Sequence, residues 1–441
     1  MQIQSLELYN FRAFEQCKVE FAPITVLVGP NNAGKSSILS ALRILSQTLK
    51  SVDPDTTLLL EQLGSYRDVV HGNKTGRGIR IRAEFSSDTG NPSFDLKYKY
   101  RVQRREVALS EFMAFERTPD GGESTILRTT YSEITRRQLL RFIAGIPEGI
   151  IGQVPVPFYH FLPRISFLFW EQLAKKSKGR LRFHKNQDFP PKGSSSLTKW
   201  VREIQYLLSS LQYLGPFRED PKRNYPFSGE RPSLLESSGH GATDILMTDF
   251  FRRGRQKREL TKKVSQWLTR AGIADDIEVV AISDRQYDIR LRHPITQESS
   301  NLADVGFGAS QILPVLIAGY DIAPGSLFSV EQPEIHLHPK AQAELGEFFG
   351  DLYGRKVQSV IETHSEHLII RLQRKVALGE IKPEDIVFNY INPTKSGKEI
   401  VTLKLNEKGL FTDKWPNGFF EERMQETLGL AKAPLLRRAS R

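Results

Sequence analysis

The stretch Gly29-Pro-Asn-Asn-Ala-Gly-Lys-Ser-Ser37 constrains this chain more than any other feature. It follows Ile24 to Val28, a short continuous apolar run of the kind that forms a strand buried on both faces. It precedes apolar residues at Ile38, Leu39, Ala41, Leu42, Ile44 and Leu45, whose spacing is helical. Strand, glycine-rich turn and helix are thus read independently of any motif. Gly29 to Ser36 also fits G-x-x-x-x-G-K-S. In that pattern the glycines let backbone N–H groups wrap phosphates, the lysine reaches the β and γ phosphates, and the serine hydroxyl ligates Mg²⁺. Gly29, Asn31, Asn32, Ala33, Gly34, Lys35, Ser36 and Ser37 are therefore candidate ATP-binding residues, and ATP with Mg²⁺ is the ligand they imply.

The 441 residues, 39% of them hydrophobic, suffice for one large or several smaller cores and exclude a disulfide-dependent miniprotein or a disordered chain. Cys17 is the single cysteine, and the nine histidines show no zinc-type spacing, so the chain reads as cytoplasmic and without a structural metal. The first residues lack a basic start followed by a continuous apolar stretch, so no signal peptide is expected. Gly145 to Trp170 is the most apolar long segment, but Glu148, His160, Arg164 and its prolines argue against a membrane span.

Alternation predicts strands at Ile3 to Leu8, Lys18 to Phe21 and, antiparallel, between Gly76 and Leu109. Ser132 to Leu214 reads as helices broken by Pro/Gly stretches, and Ser228 to Gly241 as a loop. Asp244 to Phe251 and Glu259 to Ala271 look helical, and Ile277 to Leu291 strand-like. Short apolar strands (Ser326 to Val330, Gln358 to Ile361, Ile386 to Tyr390, Glu399 to Leu405) then alternate with helices at Pro339 to Leu352 and Glu366 to Leu378, which implies an α/β fold with a mainly parallel sheet. No repeat or heptad run is present, so no coiled-coil arm is expected.

The strand ending in Glu331 supplies what a phosphate-bound Mg²⁺ needs, a carboxylate aimed from a strand end toward the glycine-rich turn. Asn10-Phe-Arg-Ala-Phe14, the glycine-rich stretch, Glu331-Gln-Pro-Glu-Ile-His-Leu-His-Pro339 and Glu362-Thr-His-Ser-Glu-His-Leu368 together resemble bacterial AAA-type ATPases in the RecF, SMC and OLD branch of the ABC ATPases. Leu63 to His71, Tyr213 to Phe217, Asp304 to Gln311 and Trp415 to Phe420 are similar stretches. The resemblance implies a P-loop NTPase of ABC-ATPase head type, with antiparallel β elements and an inserted, mostly helical region. It divides the chain into residues 1–110 with Walker A, a basic insert at 111–263, and residues 264–441 with a signature-like segment, Walker B and a switch histidine.

In that branch two heads meet around ATP, which implies a homodimer or higher oligomer. By resemblance, Gly306 and Gly308 would reach the γ-phosphate of the second subunit's ATP, His364 would sense γ-phosphate, and Arg12 would lie near the nucleotide. The segment departs from the common Leu-Ser-Gly-Gly-Gln form. Gln332 also departs from the pattern, standing where the family's glutamate polarises the attacking water. Glutamine cannot accept that proton, so hydrolysis is expected to be slow or to use Glu334 or His364. Some relatives carry a C-terminal nuclease, but no acidic metal site follows His364, and no nuclease activity is expected.

The net charge of +11 is localised. Glu171 to Lys263 holds twenty Lys/Arg against ten Asp/Glu, including Lys175, Lys176, Lys178, Arg180, Arg182, Arg252, Arg253, Arg255, Lys257 and Arg258. Such a segment suits nucleic acid, an acidic partner protein or a solvated face. Three functions stay open at this point: a nucleotide-controlled sensor or scaffold in anti-phage defence with a separate effector, a DNA recombination or repair ATPase, and a structural dimer stabilised by ATP.

Overall fold

The computed structural model describes residues 1–416 except 61–62, 119, 136, 145, 147–153, 177–194, 252–258 and 395–396. The chain opens with β1 (Gln2–Phe11), β2 (Phe14–Glu20), β3 (Ile24–Val28), α1 (Lys35–Lys50) and the short α2 (Tyr66–Val69). A meander of β4 (Ile79–Ser86), β5 (Pro92–Arg101), β6 (Glu106–Arg117), β7 (Glu123–Ser132) and β8 (Arg137–Ile143) follows, then the small pair β9 (Phe158–Tyr159) and β10 (Leu162–Pro163). Next come α3 (Phe167–Lys176), α4 (Ser195–Ser209), β11 (Gln212–Leu214), β12 (Tyr225–Pro226), α5 (Ala242–Phe251), α6 (Glu259–Ala271), β13 (Asp276–Ser283), β14 (Gln286–Arg292) and β15 (Ser299–Asn301). The last stretch is α7 (Phe307–Asp321), β16 (Leu327–Glu331), α8 (Pro339–Gly354), β17 (Gln358–Glu362), α9 (Glu366–Ala377), β18 (Ile386–Thr394) and β19 (Gly397–Leu403).

Two sheets organise these elements. The six-stranded sheet runs β11-β16-β17-β3-β18-β19 and is parallel except for the hairpin β18–β19. Its strands β3, β16 and β17 are buried along their whole length, polar Thr25, Ser329, Gln358 and Ser359 included, as strands covered by helices on both faces are. The seven-stranded antiparallel sheet runs β2-β1-β4-β5-β6-β7-β8. Its β4 alternates buried and half-exposed residues, so only one face meets the core.

Leu27 on β3 and Val360 on β17 face the first core, where α1 (Ile38, Leu42, Leu45) and α4 (Trp200, Ile204) separate the two sheets. Val26 and Val28 face the second core, built on the opposite side by α5 to α9 around Trp267, Phe348 and Phe349. The layers are therefore antiparallel sheet, α1 with α4, parallel sheet, and α5 to α9. A third sheet of β12, β14, β13 and β15 sits on the side of the second core. Cys17 is a buried filler in β2 whose thiol is pushed up to about 12 by burial.

The structure corrects the insert. The boundary at residue 110 falls inside β6, and the antiparallel sheet continues through β7 and β8, where helices were expected from Ser132. The polar residues that obscured the strands are bonded inside the sheet. Buried Gln138 accepts from the Thr129 hydroxyl (3.0 Å) and donates to the Leu109 carbonyl (2.5 Å). The boundary at 263 falls inside α6, whose Trp267 indole donates to the Glu344 carbonyl (2.9 Å) and belongs to the second core. Among the described residues no helix is long and apolar enough to cross a membrane.

Candidate nucleotide site

The glycine-rich turn leaves the end of β3, the strand between β17 and β18, and enters α1. Gly29 has φ 149°, and a Cβ there would lie 2.7 Å from the Ile391 carbonyl oxygen. Gly34 caps α1 at φ 115°, and its Cβ would lie 2.9 Å from the Phe14 ring. Both positions need glycine on conformational and steric grounds. Asn32 takes a left-handed φ of 63°, and its carbonyl accepts from Lys398 Nζ (2.9 Å). Ser36 and Ser37 lie in the first turn of α1, where free N–H groups and the helix dipole favour an anion. Lys35 is buried, and its Nζ donates to the carbonyls of Gly29 (2.9 Å) and Pro30 (3.1 Å) and lies 3.7 Å from Glu362. Burial lowers the Lys35 pKa, against the opposing pull of Glu362.

The acidic side is formed by two strand ends. Glu331 and Glu362 close β16 and β17 and are register partners in the parallel ladder. The Ser36 hydroxyl lies 3.2 Å from one oxygen of Glu331 and 3.1 Å from one of Glu362. The other Glu331 oxygen accepts from the Tyr213 hydroxyl (2.5 Å), and the Glu331 carbonyl accepts from Arg218 Nη2 (2.8 Å). Burial, then the neighbouring Glu331 charge, raises the Glu362 carboxyl to about 7, with Lys35 and Ser36 opposing. Burial lowers the Arg218 guanidinium to about 10, with Glu334 and Glu331 opposing. Burial and then Glu331 raise the Tyr213 phenol, which stays protonated as a donor.

Gln332 and Glu334 lie on the turn after β16, beside His364 on the segment after β17. Gln332 sits at a left-handed φ of 44°, its N–H donating to the Glu362 carbonyl (2.7 Å). One Glu334 oxygen accepts from the His364 backbone N–H (2.7 Å); the other is buried with no partner. Burial raises the Glu334 pKa, partly offset by that N–H. Burial, followed by the Lys35 charge, lowers the His364 ring below its usual value, so the imidazole is neutral near pH 7.

Arg12 donates from Nη1 to Ser40 Oγ (2.8 Å), and Ser40 donates to the Ser36 carbonyl (2.5 Å), which places Arg12 one helical turn beyond the glycine-rich turn. Gly306 caps α7, and a Cβ on Gly308 would lie 2.5 Å from the His336 carbonyl oxygen. Within one chain the Gly306–Gly308 segment therefore packs on the turn after Glu334. Lys175, exposed and 3.1 Å from Glu171, and Lys176 end α3. Lys178, Arg180, Arg182, Arg252, Arg253, Arg255, Lys257 and Arg258 lie outside the described residues.

Sequence reasoning missed Glu362, Tyr213, Arg218 and Lys398. Glu362 carried the same signal as Glu331, an acid ending an apolar strand. Tyr213 and Arg218 lay in or beside a stretch already noted as similar to the family, without a role.

Lys35 and Ser36 facing a strand-end carboxylate have the arrangement of a P-loop nucleotide site. The chain belongs to the AAA ATPase domain family, which matches residues 1–138 and 246–369. It is 26% identical over 214 residues to the DNA replication and repair protein RecF of Acaryochloris marina (strain MBIC 11017), covering 46% of this chain and 50% of that one. The RecF of Heliobacterium modesticaldum (strain ATCC 51547 / Ice1) is 31% identical over 115 residues, covering 26% and 30%. The chain thus spans half or less of the curated relatives it matches. The SMC head domain from Thermotoga maritima aligns with a TM-score of 0.40 and 11% identity, over 91% of this chain and 98% of that one.

Proposed function

We propose that this ATPase binds Mg-ATP between two copies of the chain, hydrolyses it slowly, and acts as a nucleotide-controlled sensor or scaffold for a separate effector protein. The observation that supports it most is the Ser36 hydroxyl set between strand-end carboxylates beside buried Lys35. The residues suit Mg²⁺, since a hydroxyl and carboxylates are the hard oxygen donors it prefers. Ser36 and Glu331 would hold the ion, which neutralises phosphate charge when bound.

Lys35 exchanges its bonds to Gly29 and Pro30 for phosphate oxygens. Gln332 orients the attacking water through its amide, and the unpartnered Glu334 oxygen takes the proton. Neutral His364 reads the γ-phosphate as a hydrogen-bond donor. The N-terminus of α7, opened by Gly306 and Gly308 with Phe307 60% exposed beside it, faces the second copy. An anti-phage setting follows from the family resemblance in sequence.

A second reading, a DNA-maintenance ATPase, draws on the names of the RecF relatives and the basic excess of 171–263. Two measurements separate them. ATP-dependent co-purification of one partner protein, without salt-dependent DNA binding, supports the scaffold. Salt-dependent DNA binding that weakens on substituting Lys175 to Arg182 replaces it with the DNA reading.

A further inference from the structure

We infer that Glu362 is a direct ligand in a two-carboxylate divalent-cation site shared with Glu331 and Ser36, and that this site takes up its cation before the nucleotide arrives. The inference rests on the Mg-ATP reading and adds to it a second protein carboxylate and an order of binding.

Because Glu331 and Glu362 are the last, register-paired residues of adjacent parallel strands, both side chains leave the sheet at one end, with their backbones about 4.8 Å apart. They are 6% and 5% exposed, so two carboxyl groups share a site out of water, where ionising both is unfavourable. Such a pair is costly unless positive charge is shared between them. The groups around them supply little positive charge, although the Tyr213 hydroxyl serves one Glu331 oxygen. The single Ser36 hydroxyl hydrogen can serve one of the two carboxylates it approaches, not both. Lys35 pairs with Glu362 at 3.7 Å, but two of its three donors go to Gly29 and Pro30, and phosphate would draw it away. Arg218 donates to the main-chain carbonyl of Glu331, not to its carboxylate.

Glu334 is a separate sign of the same shortage. It is 9% exposed, electrostatically coupled to Glu362, and keeps one buried oxygen without a partner. Among the described residues no group of three or more His, Cys, Asp or Glu side chains could hold a metal ion. The protein thus offers two carboxylates and a hydroxyl, about half of an octahedral shell, and leaves the remaining positions to water and then phosphate. The same pair repels ATP that arrives without a cation. Glu362→Gln, which removes one charge while keeping the shape, should therefore change metal binding and metal-free ATP binding in opposite directions.

The test uses the full chain and Mn²⁺ alone, with free Mn²⁺ read by electron paramagnetic resonance and no nucleotide present. Wild type is expected to bind one Mn²⁺ per chain, Glu362→Gln and Glu331→Gln to bind it about tenfold or more weakly, and Glu362→Asp to recover part of the loss. In EDTA, Glu362→Gln should bind ATP more tightly than wild type. Melting curves identify a misfolded variant, and the remaining variants then carry the comparison. Wild type that binds Mg-ATP but no Mn²⁺ without nucleotide overturns the inference, as does equal Mn²⁺ affinity in a folded Glu362→Gln. Mn²⁺ binding by a wild type that never binds ATP leaves the cation site standing and overturns the ATPase reading instead.

Discussion

The antiparallel sheet and the C-terminal ends of the parallel sheet both hold partly buried charges, and they treat them in opposite ways. In the antiparallel sheet charges come in matched cross-strand pairs. Asp95, fully buried, accepts from Arg80 on the neighbouring strand at 2.6 Å, and Glu111 takes Lys97 at 2.6 Å and Arg128 at 2.8 Å. These pairs fix register and leave little for a ligand to satisfy. At the ends of β16 and β17 the count is unbalanced, with Glu331, Glu362 and Glu334 set against Lys35 and Arg218. A buried guanidinium with two unpartnered nitrogens and a buried carboxylate oxygen without a partner lie in the same place. Matched charge marks architecture here, and mismatched charge marks the site proposed for Mg-ATP.

The largest effect expected from this contrast is on turnover. Glu334→Gln removes the unpartnered carboxylate and should lower hydrolysis by about 100-fold or more while ATP still binds, measured as phosphate release under saturating Mg-ATP. Unchanged turnover would move the base to another group. In the antiparallel sheet, Asp95→Asn strips Arg80 of its charge partner and should cost about 2 kcal/mol in denaturant unfolding, below the range for a fully buried pair because Arg80 is 32% exposed. ATP affinity should not change; if it does, the sheet is not mere architecture.

Tyr213→Phe deletes the hydroxyl that fixes one Glu331 oxygen and should weaken Mg²⁺-dependent ATP binding by roughly tenfold, the scale of a hydrogen bond to a charged group. The smallest effect is expected from Lys175→Ala with Lys176→Ala. Stability should stay within about 0.5 kcal/mol and ATP binding should hold, while affinity for DNA falls under the DNA reading. A loss of ATP binding in that variant would join the basic segment to the nucleotide site.

How far the sequence was legible follows the same division. The strand read at Ile24 to Val28 is β3, and the helix read at Glu259 to Ala271 is α6, because an unbroken apolar run and a clean amphipathic spacing leave few alternatives. β7 and β8 escaped because register shifts at Ala114/Phe115 and Arg128/Thr129 break the two-residue alternation, and buried Thr129 and Gln138 look like surface residues. At the site, Lys35, Ser36 and Glu331 were legible because a short loop and a strand end fix them locally. Tyr213 and Arg218 were not, since they reach Glu331 only after β11 adds itself to the far edge of the parallel sheet next to β16. Glu362 was legible in principle, and attention to Glu331 alone hid it.

Steady-state ATP hydrolysis by the purified chain, compared with Lys35→Ala in the presence of Mg²⁺ and in its absence, tests the central claim most directly. The account requires slow, Mg²⁺-dependent turnover that disappears in Lys35→Ala together with nucleotide binding. Turnover that survives Lys35→Ala, or that proceeds equally well without Mg²⁺, would contradict it.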